Sequence, residues 1–507
     1  MAVPLLLPVL LLLPILLVLL RSLRRKSSGL PPPPGPKGLP LIGNMHQLDH
    51  SNIGKYLWNL SKQYGPIMSL RIGLKPLLVV SSAKTAELVL RSQDLDFCGR
   101  ASQAGQQKLS YNGLDLAFAP YTAYWREMRK ICVVYLFNSN RVNSFRHIRE
   151  DEVSQMIDTI AASAATGAPF DLTAAMMGLT STIICRIAFG KKLEGKEKRM
   201  FHKLFNETQF VFGSFFLSDY LPYMGWADKL TGLTARLDKN FREFDTFYQE
   251  IIEQHLDPNR TAPQNENILD VLLGLYKDRS FKVKLEFEHI KAVLMNVFVG
   301  GTDTSAATVI WAMSFLMRNP EAMAKAQREI RDHVRGKGDG SDFVTEDDIP
   351  RLPYLNAVIK ETFRVQPALP VLVPRETNHA CSLGGYEIAA GTIVYVNAWA
   401  VGRDPEVWED PLAFRPERFE GRKIDVKGLD YELIPFGAGR RICPGIHLGM
   451  AAVETALANL LYRFDWKTPA GMKPEDINVD RVLPGIVVAK ADPLCLVPTD
   501  YLGGKKK

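Results

Sequence analysis

Apolar positions along this chain fall into three kinds of run, and each predicts a different element. Residues 1–20 form an unbroken run of Leu, Val, Ile and Pro without a charge. At ~1.5 Å per residue, about 20 such residues cross a bilayer core. Helical spacing then predicts helices over 53–64, 83–91, 121–137, 141–162, 172–189, 199–217, 234–255 and 355–365. The longest helical run of the body covers 285–318, and another starts at Leu448. Strand signals are fewer. Residues 66–81 read as a strand pair, 384–396 alternates, 368–373 should be extended, and 466–497 reads as a closing strand pair with its tip at 483–487. Stretches 99–122 and 405–419 are irregular, and 257–267 reads as a polar surface loop. The pattern is that of a mainly α protein with smaller β-sheets.

The basic flank decides how the first run is used. Arg21, Arg24, Arg25 and Lys26 follow it at once. By the positive-inside rule this flank stays cytosolic and the N-terminus faces the lumen. A cleaved signal peptide would carry its charge before the apolar run and a small-residue cleavage site after it. Residues 1–20 are therefore expected to be an uncleaved transmembrane anchor, with Pro4, Pro8 and Pro14 tolerated in the span. Residues 21–36 read as a basic and Pro-rich linker or hinge, since Pro31–Pro34 and Pro36 favour a stiff extended helix. Residues 37–507 are expected to form the cytosolic catalytic body.

Composition adds exclusions. A formal net charge of +7 over 507 residues is mild, and no basic stripe accompanies a nucleic-acid-binding motif. The six cysteines, at 98, 132, 185, 381, 443 and 495, are far apart, which is no disulfide framework and suits a reducing compartment. No internal repeat or long low-complexity linker divides the body.

The chemistry centres on Pro435-Phe436-Gly437-Ala438-Gly439-Arg440-Arg441-Ile442-Cys443-Pro444-Gly445. Glycines let the backbone come close to a flat ligand. Such a loop, or a following helix N-terminus, can direct N–H groups at a cysteine sulfur and hold it as thiolate. Pro444 can open that helix. A lone thiolate of this kind suits the axial ligand of a haem iron. Cys443 and His447 would share a helix face, but zinc needs two more ligands and no CxxC or HxxxH supplies them. In the middle of the long helix lies Gly300-Gly301-Thr302-Asp303-Thr304-Ser305. Each mid-helix glycine costs roughly 1 kcal/mol against alanine. Two readings account for such a pair: a tight helix crossing, or close approach of cofactor and substrate at a local break helped by a Thr hydroxyl turned to the preceding turn. Trp125 and Arg129, four apart, share a face and could bind one carboxylate. Glu361 and Arg364, three apart, can pair; exposed, such a pair is worth under about 1 kcal/mol.

Phe436, Gly439, Arg441, Cys443 and Gly445 at this spacing resemble the haem-binding signature of the cytochrome P-450 superfamily. Asp303-Thr304, Glu361-x-x-Arg364 and Pro416-Glu417-Arg418-Phe419 match its other motifs in order, and the whole chain resembles the plant microsomal 71 clan, near its family 83 and family 71 branches. The resemblance implies haem b with Cys443 as iron ligand and Phe436 and Gly445 beside it. It implies that Trp125, Arg129, Arg375 and Arg441 bind haem propionates, that Thr304 and Asp303 serve oxygen activation and proton delivery, and that Glu361, Arg364 and Arg418 form a supporting network. Leu114, Phe118, Gly300, Gly301, Leu369, Val371, Leu483 and Ile486 are the expected substrate pocket. The 199–217 region, with its phenylalanines, should roof the channel and touch the membrane. Thr122 stands where relatives often carry glycine.

The implied activity is insertion of one atom of O2 into a small lipophilic plant specialised metabolite: an aldoxime, phenylpropanoid, terpenoid or alkaloid. No G-x-G-x-x-G follows a strand and no P-loop occurs, so electrons are expected from a separate NADPH-dependent flavoprotein reductase, docking near Arg440 and Lys130. The resemblance places the chain in the endoplasmic reticulum membrane. Two other readings stay open: a haem-thiolate isomerase or dehydratase that needs no O2, and a non-catalytic membrane-anchored binding protein.

Overall fold

The computed structural model describes residues 29–49, 51–261, 265–278, 283–338, 340–483 and 485–503. The expected anchor lies outside them. Helix α1 (Ile53–Tyr64) opens with Asn52 Oδ1 accepting the Lys55 N–H. The expected strand pair follows as β1 (Ile67–Ile72) and β2 (Lys75–Val80), paired antiparallel. Helix α2 (Ala123–Ile131) is capped by Thr122, whose Oγ1 accepts the Trp125 N–H at 3.2 Å. Threonine at 122 thus starts the helix rather than disturbing it. Beyond α2 the turns widen to a π-helical segment over Cys132–Leu136. The helix expected over 141–162 is broken at Phe145 into Ser139–Ser144 and α3 (Arg146–Ala164).

Helix α4 (Leu172–Phe189) has the expected bounds because both ends are written into the sequence. Asp171 Oδ1 accepts the Ala174 N–H, and Gly190 closes the helix at φ +71°. Helix α5 (Gly195–Gly213) and helix α6 (Leu233–Leu256) pack together. In the aromatic stripe expected to roof a channel, Phe205, Phe212 and Phe216 are buried, and Phe210 stands well out.

Helix α7 (Phe287–Arg318) spans 32 residues and runs through the centre, between α4 and α10 (Ile446–Arg463). Between them in the chain lie α8 (Pro320–Lys337) and α9 (Pro353–Val365). Both α4 and α7 are long and apolar enough to cross a membrane, but two thirds of each is buried in the body, as for core helices. The sheet at the other end has strand order β1-β2-β4-β3, where β3 is Arg375–Glu376 and β4 is Ile393–Val396. β2 and β4 pair in parallel, Leu77 opposite Ile393. At the C-terminus β5 (Phe464–Lys467) pairs with β8 (Cys495–Asp500), and a short hairpin of β6 (Val482–Leu483) and β7 (Ala489–Lys490) lies between.

Three expectations change. The stretch 99–122 contains a helix, Ala104–Leu109. The stretch 368–373 is a turn, not extended: Leu372 has φ +52° and donates its N–H to Leu369 O. The proline run is no free spacer. Pro33 O and Pro34 O accept from Ser69 of β1 at 2.8 Å each, and Pro31 O accepts the Glu387 N–H at 2.9 Å. A Cβ at Gly35 would collide with Ser69 O, so the close approach requires glycine there.

Candidate haem site

The cysteine loop is a closed turn. The Cys443 N–H donates to Phe436 O at 3.0 Å, and the Ile442 N–H to Gly439 O at 3.1 Å. Gly437 and Gly439 take φ +69° and +67°, and a Cβ at Gly439 would strike Leu90 O. The Gly445 N–H is directed at the cysteine sulfur, as expected. Burial pushes the Cys443 thiol up, against the pull of Gly445 and of Arg129. Gly445 is the N-cap of α10, so Pro444 precedes the cap instead of opening the helix. His447 is exposed, and no group of three metal-ligating side chains occurs among the described residues.

Behind the loop, Glu361 and Arg364 are fully buried. Arg364 donates from Nε and Nη2 to the two Glu361 oxygens at 2.6 and 2.8 Å, and Arg418 Nε donates to Oε1 at 3.0 Å. The remaining guanidinium N–H groups are absorbed by the carbonyls of Gly402, Glu409, Asp410, Pro411 and Ala413. A buried ion pair holds only when its leftover donors are satisfied like this. The network touches the cysteine loop through Phe363, whose ring meets Phe436 edge-on at 5.3 Å.

Arg129 Nη2 donates to Ile442 O at 2.6 Å, and Arg441 donates to Cys98 O and Ala119 O at 3.0 and 2.8 Å. Arg375 donates to Asp94 Oδ1 at 2.6 Å and to Ala438 O at 3.0 Å. The Trp125 indole N–H donates to Leu116 O at 2.9 Å, and its ring carries Arg441 at 4.0 Å and Arg129 at 5.5 Å, a platform for two cations. Two residues the sequence did not single out belong here. Asp94 accepts from Arg375 and from the Arg440 N–H, and Arg100 donates to the carbonyls of Ala117, Val373 and Pro374. An isolated Asp or Arg in an irregular stretch carries no spacing signal, so neither was legible.

Arg100, Arg129, Arg375 and Arg441 converge here, and among the described residues only Asp94 and Asp115 stand with them as buried carboxylates. Burial and the neighbouring Arg375 push Arg441 down to about 10. A dianionic edge would relieve this surplus of positive charge, and the two propionates of haem are such an edge. The donor set fits the group.

Above Cys443, Thr304 Oγ1 donates to Gly300 O at 2.6 Å, so the hydroxyl does turn back on the preceding turn. Asp303 is pushed up to about 7 by burial, and its Oδ1 has no hydrogen-bond partner among the described residues. Helix α7 stays continuous through the motif. A Cβ at Gly301 would press on the Ile184 side chain of α4, as at a tight helix crossing. A Cβ at Gly300 would meet no atom within 4 Å.

Some of the segments expected to line a pocket touch one another. Phe118 stacks on Phe212 at 5.5 Å, Tyr124 donates its hydroxyl to Leu114 O, and Val488 N donates to Ala368 O, joining the tip near Ile486 to the turn holding Leu369. Val371 instead packs with Leu57 and Met68 at the sheet end, and Leu483 is 51% exposed.

The family model described as Cytochrome P450 matches residues 33–493. The chain belongs to the cytochrome P450 family. It is a cytochrome P450 monooxygenase, with haem b as cofactor and electrons from a redox-partner reductase. It is 47% identical over 489 residues to a 6,7,8-trihydroxycoumarin synthase of Pastinaca sativa, covering 94% of this chain and 95% of the relative. It is 45% identical to Cytochrome P450 83A1 of Arabidopsis thaliana, covering 92% and 93%. A zebrafish cytochrome P450 solved with abiraterone is 25% identical with a TM-score of 0.75, covering 89% of this chain and 99% of that one. The fold expected of the P450 family is the fold found.

Proposed function

We propose that this P450 hydroxylates small lipophilic aromatic metabolites of the phenylpropanoid and coumarin type. Electrons would come from NADPH-cytochrome P450 reductase at the endoplasmic reticulum. The single observation that carries the monooxygenase chemistry to these residues is the Asp303 carboxyl next to Thr304 on α7, with its Oδ1 enclosed and without a hydrogen-bond partner among the described residues. When bound, haem supplies the reductive cleavage of dioxygen. Cys443 would ligate the iron, its sulfur oriented by the Gly445 N–H. Arg129, Arg375 and Arg441 would hold the propionates. Asp303 near neutrality can both hold and release a proton, and Thr304 can pass it inward from a hydroxyl now bonded to Gly300 O. The relatives named as coumarin synthases and the stacked Phe118 and Phe212 favour a flat aromatic substrate. Exposed Leu39, Leu41, Tyr223, Trp226 and Leu230 favour a membrane-facing surface around the body.

The test begins with a carbon monoxide difference spectrum of the reduced protein in microsomes, where a strongly red-shifted Soret band is expected and Cys443→Ala should abolish it. Reductase, NADPH and a panel of coumarins and furanocoumarins follow. A hydroxylated product that needs both O2 and NADPH supports the proposal. Turnover only of aldoximes or terpenoids would overturn the substrate class, and product formed anaerobically without NADPH would overturn the chemistry.

A further inference from the structure

Residues 114–119 have no helix or strand, yet most of their backbone N–H and C=O groups are hydrogen-bonded, and side chains make most of the bonds. Asn296 on α7 and Asp115 in the loop make four of them, and a fifth bond joins the two side chains. Asn296 Oδ1 accepts the N–H groups of Leu116 and Ala117 at 2.8 and 3.1 Å. Asp115 Oδ1 accepts those of Phe118 and Ala119, both at 2.9 Å. Asn296 Nδ2 then donates to Asp115 Oδ2 at 2.8 Å. The Asn296 amide has one orientation that serves this set, with its oxygen towards two N–H groups and its nitrogen towards a carboxylate. Asp115 is fully buried.

The carbonyls of the same loop face the opposite way. Leu116 O and Ala119 O accept from Trp125 and Arg441, and Ala117 O from Arg100. The loop is thus clamped between α7 on one side and Trp125, Arg100 and Arg441 on the other. Asn296 precedes Asp303 by seven residues, two turns of one helix face, or about 10 Å along the axis. Between the clamped ends the loop presents Phe118 to Phe212.

We propose that Asp115 and Asn296 are a positioning pair for the monooxygenase reaction: they fix the distance of the Phe118 wall from the reacting face of α7, and so decide how closely a substrate approaches. The inference rests on the assignment of 114–119 to the pocket wall, and it is independent of which metabolite the enzyme oxidises.

The exchange Asp115→Asn with Asn296→Asp tests it. In the doubly exchanged chain the amide now at position 115 would accept from Phe118 and Ala119 and donate to the carboxylate now at position 296. That carboxylate would in turn accept from Leu116 and Ala117. All five bonds return with the charge moved across. Each single exchange breaks the set, placing donor against donor or carboxylate against carboxylate. Two readouts need no substrate: amide hydrogen exchange at 116–119, and spectral titration of the haem-loaded protein with 4-phenylimidazole, which must fit between the wall and the iron. Both single variants should lose amide protection and bind the probe about tenfold more weakly, and the double exchange should recover both. Should a single variant fail to fold, Asn296→Ser, which keeps an acceptor, replaces it in the same comparison, and recovery by the double exchange remains the criterion. Protection unchanged in the single variants, or a double exchange no better than either, would overturn the pairing. Lost protection with unchanged probe affinity would overturn the positioning role.

Discussion

Behind Cys443, a carboxylate and two guanidiniums on regular elements hold one another: Glu361, Arg364 and Arg418, buried and in mutual contact. Across the site, residues 114–119 have no regular element and depend on side chains from four separate places, Asn296, Trp125, Arg100 and Arg441. The first region binds charge to charge and leaves no degree of freedom. The second binds backbone to side chain, bond by bond, so each bond can be altered singly.

The largest effect should come from the first region. Arg364→Met strands the Glu361 carboxylate beside Arg418 alone, at a cost of about 3–5 kcal/mol. Loss of folded, haem-binding protein in expression and thermal melts is the expected result, and a melt within a few degrees of the parent would erase the contrast. Next is Asp303→Asn, which should leave the fold intact while turnover falls on the order of 10²-fold, measured as product per NADPH. The same variant carries a pH signature. The folded pKa of Asp303 is raised from its usual value to about 7, so the folded state holds this proton more tightly than the unfolded chain. Its contribution to stability is present at low pH and declines as pH rises towards 7. Asp303→Asn should therefore melt higher than the parent at pH 8 by more than at pH 5. A difference that does not grow with pH would mean the carboxyl is better solvated than the structure has it. The smallest effect belongs to the loop: Trp125→Phe removes one donor from Leu116 O, at about 1 kcal/mol, and should shift product distribution more than melting temperature.

The same contrast explains what could be read in advance. Helix α4 was legible to the residue because Asp171 and Gly190 mark its ends, and the 435–445 loop because its glycines, arginine and cysteine stand at fixed spacing. The helix split at Phe145 and the turn at Leu372 were not, since neither carries a Gly, and apolar spacing runs on through both. Arg100, Asp94, Asp115 and Asn296 were missed for one reason. Apart from the two local N–H groups that Asp115 accepts, their partners are 17 to 346 residues away, and a hydrogen bond to a distant group leaves no pattern in the chain. Trp125 was found by its spacing from Arg129, and that spacing fixes a face but not the partner, Leu116, to which its donor goes. Gly300 and Gly301 looked alike in sequence and differ in the fold only because Ile184 lies against one of them.

That last difference bears on how such an enzyme changes over evolutionary time. A methyl at 301 would have to be accommodated by a neighbouring helix, so the position is held by the architecture. A methyl at 300 disturbs no protein neighbour and even gains helix propensity, by roughly 1 kcal/mol. Position 300 is thus a place where a side chain can be added without displacing a protein neighbour and with a gain in stability, while the residue beside it is held by the packing of α4 on α7.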